Sequence, residues 1–350
     1  MTNRSRSLSA LALTSLVAAG TASAIDAGGI AIHGSLSATG AYSDEYDYYG
    51  DTGGSFDFNV KEITLNGAYR FENGIRVAAQ VYAYDLAGYK DLTLDFATLD
   101  YAFGEKIGVR VGRNKLPVGF YGEVQDLDQI RTFASLPLNF YPRGLRSLTA
   151  SYNGAGLYGT ISLKNAGSLE YQVIAGWMEN TDVDAPYARS IVDLTETDKV
   201  DSDRIYGAAL IWNTRAEGLR FGYTINYMPG LELNSRVQTR AGLAEVGSSY
   251  AAVAEMIDTG FGAGTWDFSG LFAGSLSTAE ADIQTHVASV EYSREKWVLA
   301  AEYRRMETEG TTSLFASAPL LGVNAPVEAA EEDWYAQATY QATDKLGLGV

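Results

Sequence analysis

The chain has no cysteine in its 350 residues. That excludes a disulfide framework and any thiolate metal site. Positive charge is in short supply: 26 Lys and Arg against 43 Asp and Glu leave a formal charge of -17. A nucleic-acid partner is excluded on that count, because phosphate binding needs a basic face. Charged residues of all kinds reach only 20%, too few for a disordered acidic chain. Past residue 24 no apolar run approaches the roughly 18 residues of a membrane helix, so a helical membrane protein is excluded too. Proline is rare (7 residues), while glycine (37) and tyrosine (23) are abundant. This composition suits a large sheet of closely packed strands.

The N-terminus reads as a secretory signal peptide over residues 1–24. MTNRSRS supplies Arg4 and Arg6, LSALALTSLVAAG a short apolar core, and Ala22-Ser23-Ala24 a small-residue cleavage site before Ile25. From there on, period-2 alternation recurs. Ile30, Ile32, Leu36 and Ala38 oppose His33, Ser35 and Ser37. Ile75, Val77, Ala79 and Val81 oppose Arg76 and Gln80. Phe221, Tyr223 and Ile225 oppose Arg220, Thr224 and Asn226, and Trp297, Leu299 and Ala301 oppose Glu302 and Arg304. Each run is about ten residues, the length of a tilted membrane-spanning strand. The run Phe56 to Phe71 changes parity between Val60 and Ile63, which predicts a bulge. Tyr69, Phe71, Tyr101, Phe103, Trp297 and Tyr340 cluster at strand ends, where an interfacial aromatic girdle belongs.

The connections alternate between two kinds. Short turns sit at residues 72–74, 104–106, 164–168, 214–218, 293–296 and 342–345; longer acidic or glycine-rich segments occupy 43–55, 85–91, 114–148, 179–202, 229–281 and 306–332. This predicts an all-β, transmembrane, up-and-down antiparallel barrel over residues 25–350, with short turns at one rim and long loops at the other. About thirteen strands are legible, and the last, from Lys345, is cut in mid-alternation. An open edge in lipid is costly, so a few more strands are expected in the full protein. A soluble β-protein is the alternative, with its aromatics at strand centres instead.

One stretch departs from alternation: GVRVGRNKLPVGFYGEVQDLDQIRTF, residues 108–133. The run from Gly112 through Arg113, Lys115, Pro117, Gly119 and Tyr121 to Tyr141-Pro142 resembles a segment of Gram-negative porins of the phosphate-selective and DcaP-like superfamily. The resemblance implies a sixteen-stranded porin, often trimeric, in the outer membrane, with residues 114–148 folded inward as a constriction loop. The segment follows the fifth strand counted from residue 25, as the constriction loop does in general porins. Lysine is the departure: half of the eight lysines (Lys106, Lys164, Lys296, Lys345) fall at short turns, which gives poor support to a phosphate-selective lysine wall.

A pore of this kind does no covalent chemistry; size and charged walls sort its solutes. The expected lining comprises Arg70, Arg76 and Arg110 from the strands. From strand exit and loop it adds Arg113, Lys115, Glu123, Asp126, Asp128, Arg131, Arg143 and Arg146. Arg70 and Arg76 also read as solvated rim residues, Asp126, Asp128 and Arg131 as a loop-bracing ion-pair set, and Arg113 and Lys115 as braces of the loop against the wall. No catalytic, metal or cofactor site is legible: His33 and His286 are far apart, and Gly260–Gly264 lacks the strand-to-helix context of a nucleotide site. The expected partners are outer-membrane lipid and lipopolysaccharide, small hydrophilic solutes, and two further copies in a homotrimer. The expected function is passive diffusion. The alternatives are a channel selective for an anion or organic acid, and a plugged structural or adhesive barrel.

Overall fold

A computed structural model describes residues 25–27, 29–42, 54–86, 89–125, 136–137, 140–141, 150–180, 195–237, 276–314, 323–343 and 346–349. The described residues form fourteen strands: β1 (Ile25–Ala27), β2 (Ile30–Tyr42), β3 (Phe56–Arg70), β4 (Arg76–Leu86), β5 (Tyr89–Ala102), β6 (Gly108–Lys115), β7 (Ser151–Ser162), β8 (Ser168–Asn180), β9 (Thr195–Asn213), β10 (Leu219–Val237), β11 (Leu276–Arg294), β12 (Trp297–Leu314), β13 (Val323–Thr343) and β14 (Leu346–Gly349). The chain divides into two compact units, Met1–Leu99 with Val124–Leu136, and Asp100–Glu123 with Pro137–Val350. In the first, β1 to β4 pair antiparallel in sequence order. In the second, β6 to β14 do the same. The fold class is the expected one, all-β and up-and-down. The strand count exceeds the expected thirteen by the three-residue β1, whose short pairing with β2 carries too little alternation to be read.

The two faces of each strand differ in an inside-out sense. In the first unit, Leu36, Ile63, Leu65 and Val81 are exposed, while Ser37, Glu62, Thr64 and Gln80 are buried. In the second, Leu157, Val173, Leu210, Phe221 and Leu299 are exposed, and Thr224, Asn226, Ser289, Glu291 and Glu302 are buried. A water-soluble protein buries its apolar residues and does not display contiguous apolar faces of this extent. On the polar face of the first unit, Gln80 Nε2 donates to Asp95 at 2.7 Å, and Tyr82 and Ser37 donate to Glu62.

Aromatic rings border the apolar face of the second unit. Beside the short turns lie the pairs Tyr101–Phe103, Trp212–Phe221 and Trp297–Tyr340, with centroids 4.8, 5.8 and 4.8 Å apart. Their polar atoms reach turn backbone, as when Trp212 Nε1 donates to Ala166 O at 2.8 Å. A second row lies six residues along each strand: Trp177 from Tyr171, Tyr206 from Trp212, Tyr227 from Phe221, Tyr303 from Trp297 and Trp334 from Tyr340. At about 3.3 Å per residue the rows are roughly 20 Å apart along the strand. In the first unit Tyr69 and Phe71 form a like pair at 4.7 Å.

Two expectations need correction. Strand extends deep into segments read as long connections: β4 and β5 leave only residues 87–88 between them, β9 begins at Thr195, β10 runs to Val237, β12 to Leu314, and β13 starts at Val323. The extension of β12 from Glu307 to Ser313 has no large apolar residue on either face and so shows no alternation, whereas that of β10 alternates weakly through Leu231 and Leu233. Backbone pairing and cross-strand ion pairs sustain them, such as Arg305 with Glu332 at 3.3 Å. The bulge predicted between Val60 and Ile63 lies slightly earlier. Thr39 pairs with Val60 and Ala41 with Asp57, so Phe58 and Asn59 oppose Gly40 alone.

Leu210 tests which solvent bathes the apolar face. It is 45% exposed, so in water Leu210→Arg should change stability by no more than about 0.5 kcal/mol. In lipid it should cost about 2–4 kcal/mol. The larger loss is expected, measured by urea unfolding of the vesicle-reconstituted protein.

Candidate functional site

The segment after β6 leaves the sheet at Leu116, whose N–H donates to Ala150 O at 2.9 Å and so closes the base of the loop. From there it lies on the polar face of β10–β13. Three rows of that face are fixed by strand register. One runs Gly222–Ser289–Glu302–Tyr335, the next Arg220–Glu291–Ala300–Gln337, and a third Thr224–Val287–Arg304–Asp333. Glu302 is the hub. Its carboxylate, 2% exposed, accepts from Phe120 N–H at 2.8 Å, Ser289 Oγ at 2.6 Å, Tyr335 Oη at 2.6 Å and the Tyr141 hydroxyl. Two donors come from the sheet and two from the loop, so one carboxylate joins both ends of the loop to the wall.

The flanking rows add further anchors. Tyr121 Oη donates to Glu291 at 2.5 Å, and Arg220 binds the same carboxylate through two bonds of 2.9 Å. The Arg220 guanidinium lies 4.4 Å from the Phe120 ring centre. Arg304 donates to Asp333 and, at 3.2 Å, to Phe140 O, with the Phe140 ring 5.4 Å from its guanidinium. Asn226 Nδ2 donates to Pro117 O at 2.8 Å. Two glycines make the approach possible. Gly119 has φ +55, and a Cβ there would meet the Glu302 carboxylate and the Tyr141 hydroxyl. Gly222 lets the Phe120 ring rest on the sheet, 2.6 Å from where a Cβ would stand. Burial, with the Glu302 carboxylate alongside, holds the Tyr141 phenol well above its ordinary pKa, so it remains a donor.

A second cluster sits where β6 meets the loop. Arg110 Nε donates to Asp100 at 3.2 Å, and its guanidinium lies 5.1 Å from the Tyr158 ring, whose hydroxyl donates to the same Asp100 at 2.8 Å. Glu123 lies in the 3-10 turn Gly122–Val124. Burial raises its carboxyl above the usual range, opposed by Arg110, a hydrogen bond with Gln172 and Lys115. Its Oε1 has no hydrogen-bond partner among the described residues.

Of the residues expected to line a passage, Arg110 and Glu123 come together on this face, with Lys115 close enough to act on Glu123. Arg113 is half-buried and Lys115 buried at the end of β6. Arg70 and Arg76, in the first unit, flank the turn at 72–74 and pair in register; Arg70 is exposed and donates to Gly74 O at 3.4 Å. Asp126, Asp128, Arg131, Arg143 and Arg146 lie outside the described residues. Ser35 bonds Thr64, and His286 bonds Tyr223 and Gln284. Glu302, Glu291, Arg220, Arg304, Asp333 and Asp100 were not singled out from the sequence. Polar parity marked Glu302, Arg304 and Arg220, but their pairing was not readable.

Two outcomes follow. Glu302→Ala strips both loop ends of a charged acceptor, each such bond contributing about 1.5–3 kcal/mol. Limited proteolysis within residues 116–150 should become at least about tenfold faster than in wild type; equal rates would remove Glu302 from the anchoring role. Glu123 gives a pH signature. Its folded pKa is raised, so its contribution to stability is fully present below the unfolded value of about 4.3 and is lost as pH climbs through the raised folded value. Glu123→Gln should match wild type near pH 4, by roughly that reference value, and exceed it in urea resistance at alkaline pH.

No family model matches the chain. An uncharacterized protein of Aquifex aeolicus (strain VF5) is 30% identical over 110 residues, 30% of this chain. The match spans 24% of that protein's length. Among solved structures, OmpT, an outer membrane protein of Vibrio cholerae, aligns over 92% of this chain and 86% of its own, at 10% identity and a TM-score of 0.36. Its trimer form aligns over 93% and 94%, at 11% identity and the same score of 0.36. A mutant form of the porin of Rhodopseudomonas blastica aligns over 88% and 98%, at 10% identity and a TM-score of 0.31.

Proposed function

We propose that this chain forms a water-filled β-barrel pore in the outer membrane of a Gram-negative bacterium, after removal of residues 1–24. Residues 114–148 narrow it, and it passes small hydrophilic solutes and ions by diffusion. One observation supports this above all: the loop after β6 is hydrogen-bonded to the polar face of β10–β13, where a constriction would have to lie, with an apolar face behind it. The porin-like run from Gly112 to Pro142 agrees with it. In this reading the short turns face the periplasm, and lipid and lipopolysaccharide surround the barrel. Three copies assemble.

The charge pattern speaks against the anion-selective alternative. Arg110, Arg220 and Arg304 each face a carboxylate, Asp100, Glu291 and Asp333 respectively. Paired charges set up local fields across the passage and little net attraction for either sign. Selectivity then rests on small imbalances, and Arg110, beside the loop and 29% exposed at its side chain, is the cation to remove first.

Planar-bilayer recording of the full-length protein under a salt gradient tests the reading. Wild type should show open channels with weak ion preference. Arg110→Ala, which leaves Asp100 unopposed, should move the reversal potential towards cation selectivity. Glu302→Ala should raise conductance or its noise as the loop loosens. Folded barrels that carry no current would overturn the diffusion reading in favour of the plugged barrel.

A further inference from the structure

The apolar face of β11–β13 is not uniform. Register stacks its side chains in rows: Arg294, Trp297 and Tyr340 next to the short turns, then Tyr292, Leu299 and Ala338, then Val290, Ala301 and Ala336, then Ala288, Tyr303 and Trp334. The first and fourth rows carry large rings; Trp297 is 50% and Trp334 73% exposed. Between them Ala301, Ala336 and Ala338 form a low floor beside Val290, Tyr292 and Leu299, and these residues, with Ala300 and Gln337, line a shallow, open groove of about 460 Å³.

The two ends of this groove differ in charge. At the far end Arg305 is paired with Glu307 at 2.6 Å and Glu332 at 3.3 Å. At the turn end Arg294 continues the column of Val290 and Tyr292, with the Tyr292 hydroxyl and the Glu217 carboxylate near enough to act on it electrostatically. Lys296 donates to Ala342 O at 3.3 Å and stands 5.9 Å from the Tyr340 ring. Among the described residues neither cation is within ion-pair distance of a carboxylate, although Glu295 separates them in sequence. The groove is therefore mostly apolar, and two cations stand beyond its turn end.

We propose that this groove binds an anionic phospholipid, one acyl chain lying over Ala301, Ala336 and Ala338 and the phosphate meeting Arg294 and Lys296. The proposal rests on the reading of the apolar face as lipid-facing. A second copy of the chain fits less well. The projecting rings of Trp297, Tyr303, Trp334 and Tyr340 would hold a flat sheet off the alanine floor, whereas a single methylene chain reaches it. Basic side chains at a membrane surface attract anionic headgroups, and the aromatic row beside them places that mouth at headgroup depth.

The test is native mass spectrometry of the full-length folded protein with palmitoyl-oleoyl-phosphatidylglycerol and, separately, palmitoyl-oleoyl-phosphatidylcholine. Flotation with liposomes is measured on the same preparations. Wild type should retain one phosphatidylglycerol in preference to phosphatidylcholine. Ala336→Trp, which fills the groove, should lose the adduct; Ala301→Leu serves if the tryptophan variant does not fold. Arg294→Gln with Lys296→Gln should weaken the preference about tenfold. Equal adducts in wild type and all variants would overturn the site. So would loss of an oligomer in Ala336→Trp with lipid adducts unchanged, which would assign the groove to another copy. Failure to float would overturn the membrane reading itself, whereas flotation without a selective adduct would overturn the groove alone.

Discussion

With apolar side chains committed to the exposed face, the polar side chains that the loop covers on the other face need partners there. That constraint organises the second unit. A buried carboxylate without donors is expensive, so Glu302 and Glu291 gather hydroxyls, guanidinium and backbone N–H groups from whatever can reach them. The sheet offers Ser289, Tyr335 and Arg220. The loop supplies the rest, which is why it lies down on this face. Arginine and carboxylate occur together there for the same reason: each makes the burial of the other tolerable.

Aromatic residues serve two separate purposes on the two faces. On the apolar side one row sits at the strand ends beside the short turns, where Trp212 and Tyr171 reach turn carbonyls at 2.8 Å, and a second lies about six residues further along the strands. On the polar side Phe120 and Phe140 cover the guanidiniums of Arg220 and Arg304. A ring over a partly desolvated cation contributes its quadrupole as well as its area, so loop and wall are joined by packing and charge together.

Much of the sheet was legible in the sequence because alternation is a local signal. Leu36, Ile63 and Leu299 point away from Ser37, Thr64 and Glu302 as the period-2 reading has it. The girdle pairs Tyr69–Phe71 and Trp297–Tyr340 stand where strand ends were read. What escaped was of two kinds. Strand that is polar on both faces, such as Thr195 to Arg204 or Arg304 to Ser313, reads as loop because nothing segregates its sides. Pairing across long sequence distances left no trace. Glu302 was one polar residue among many, and nothing nearby announces that Phe120 and Tyr141 bind it. Arg110 lay on the expected face, but its Asp100 partner was not foreseen. Asp126, Asp128, Arg131, Arg143 and Arg146 fall outside the described residues.

The anchors of the loop share a property with a temporal meaning. Phe120 and Glu302 are 182 positions apart, Tyr121 and Glu291 170, Phe140 and Arg304 164. By contrast the hairpins β7–β8, β9–β10, β11–β12 and β13–β14 close over short turns. Contacts between distant positions are slow to form because the intervening chain must be ordered first, and here the acceptors exist as a surface only once β10, β11, β12 and β13 are in register. The loop is therefore the last part of the second unit to find its place. Until then the polar face of that sheet is uncovered, and the loop can dock only afterwards.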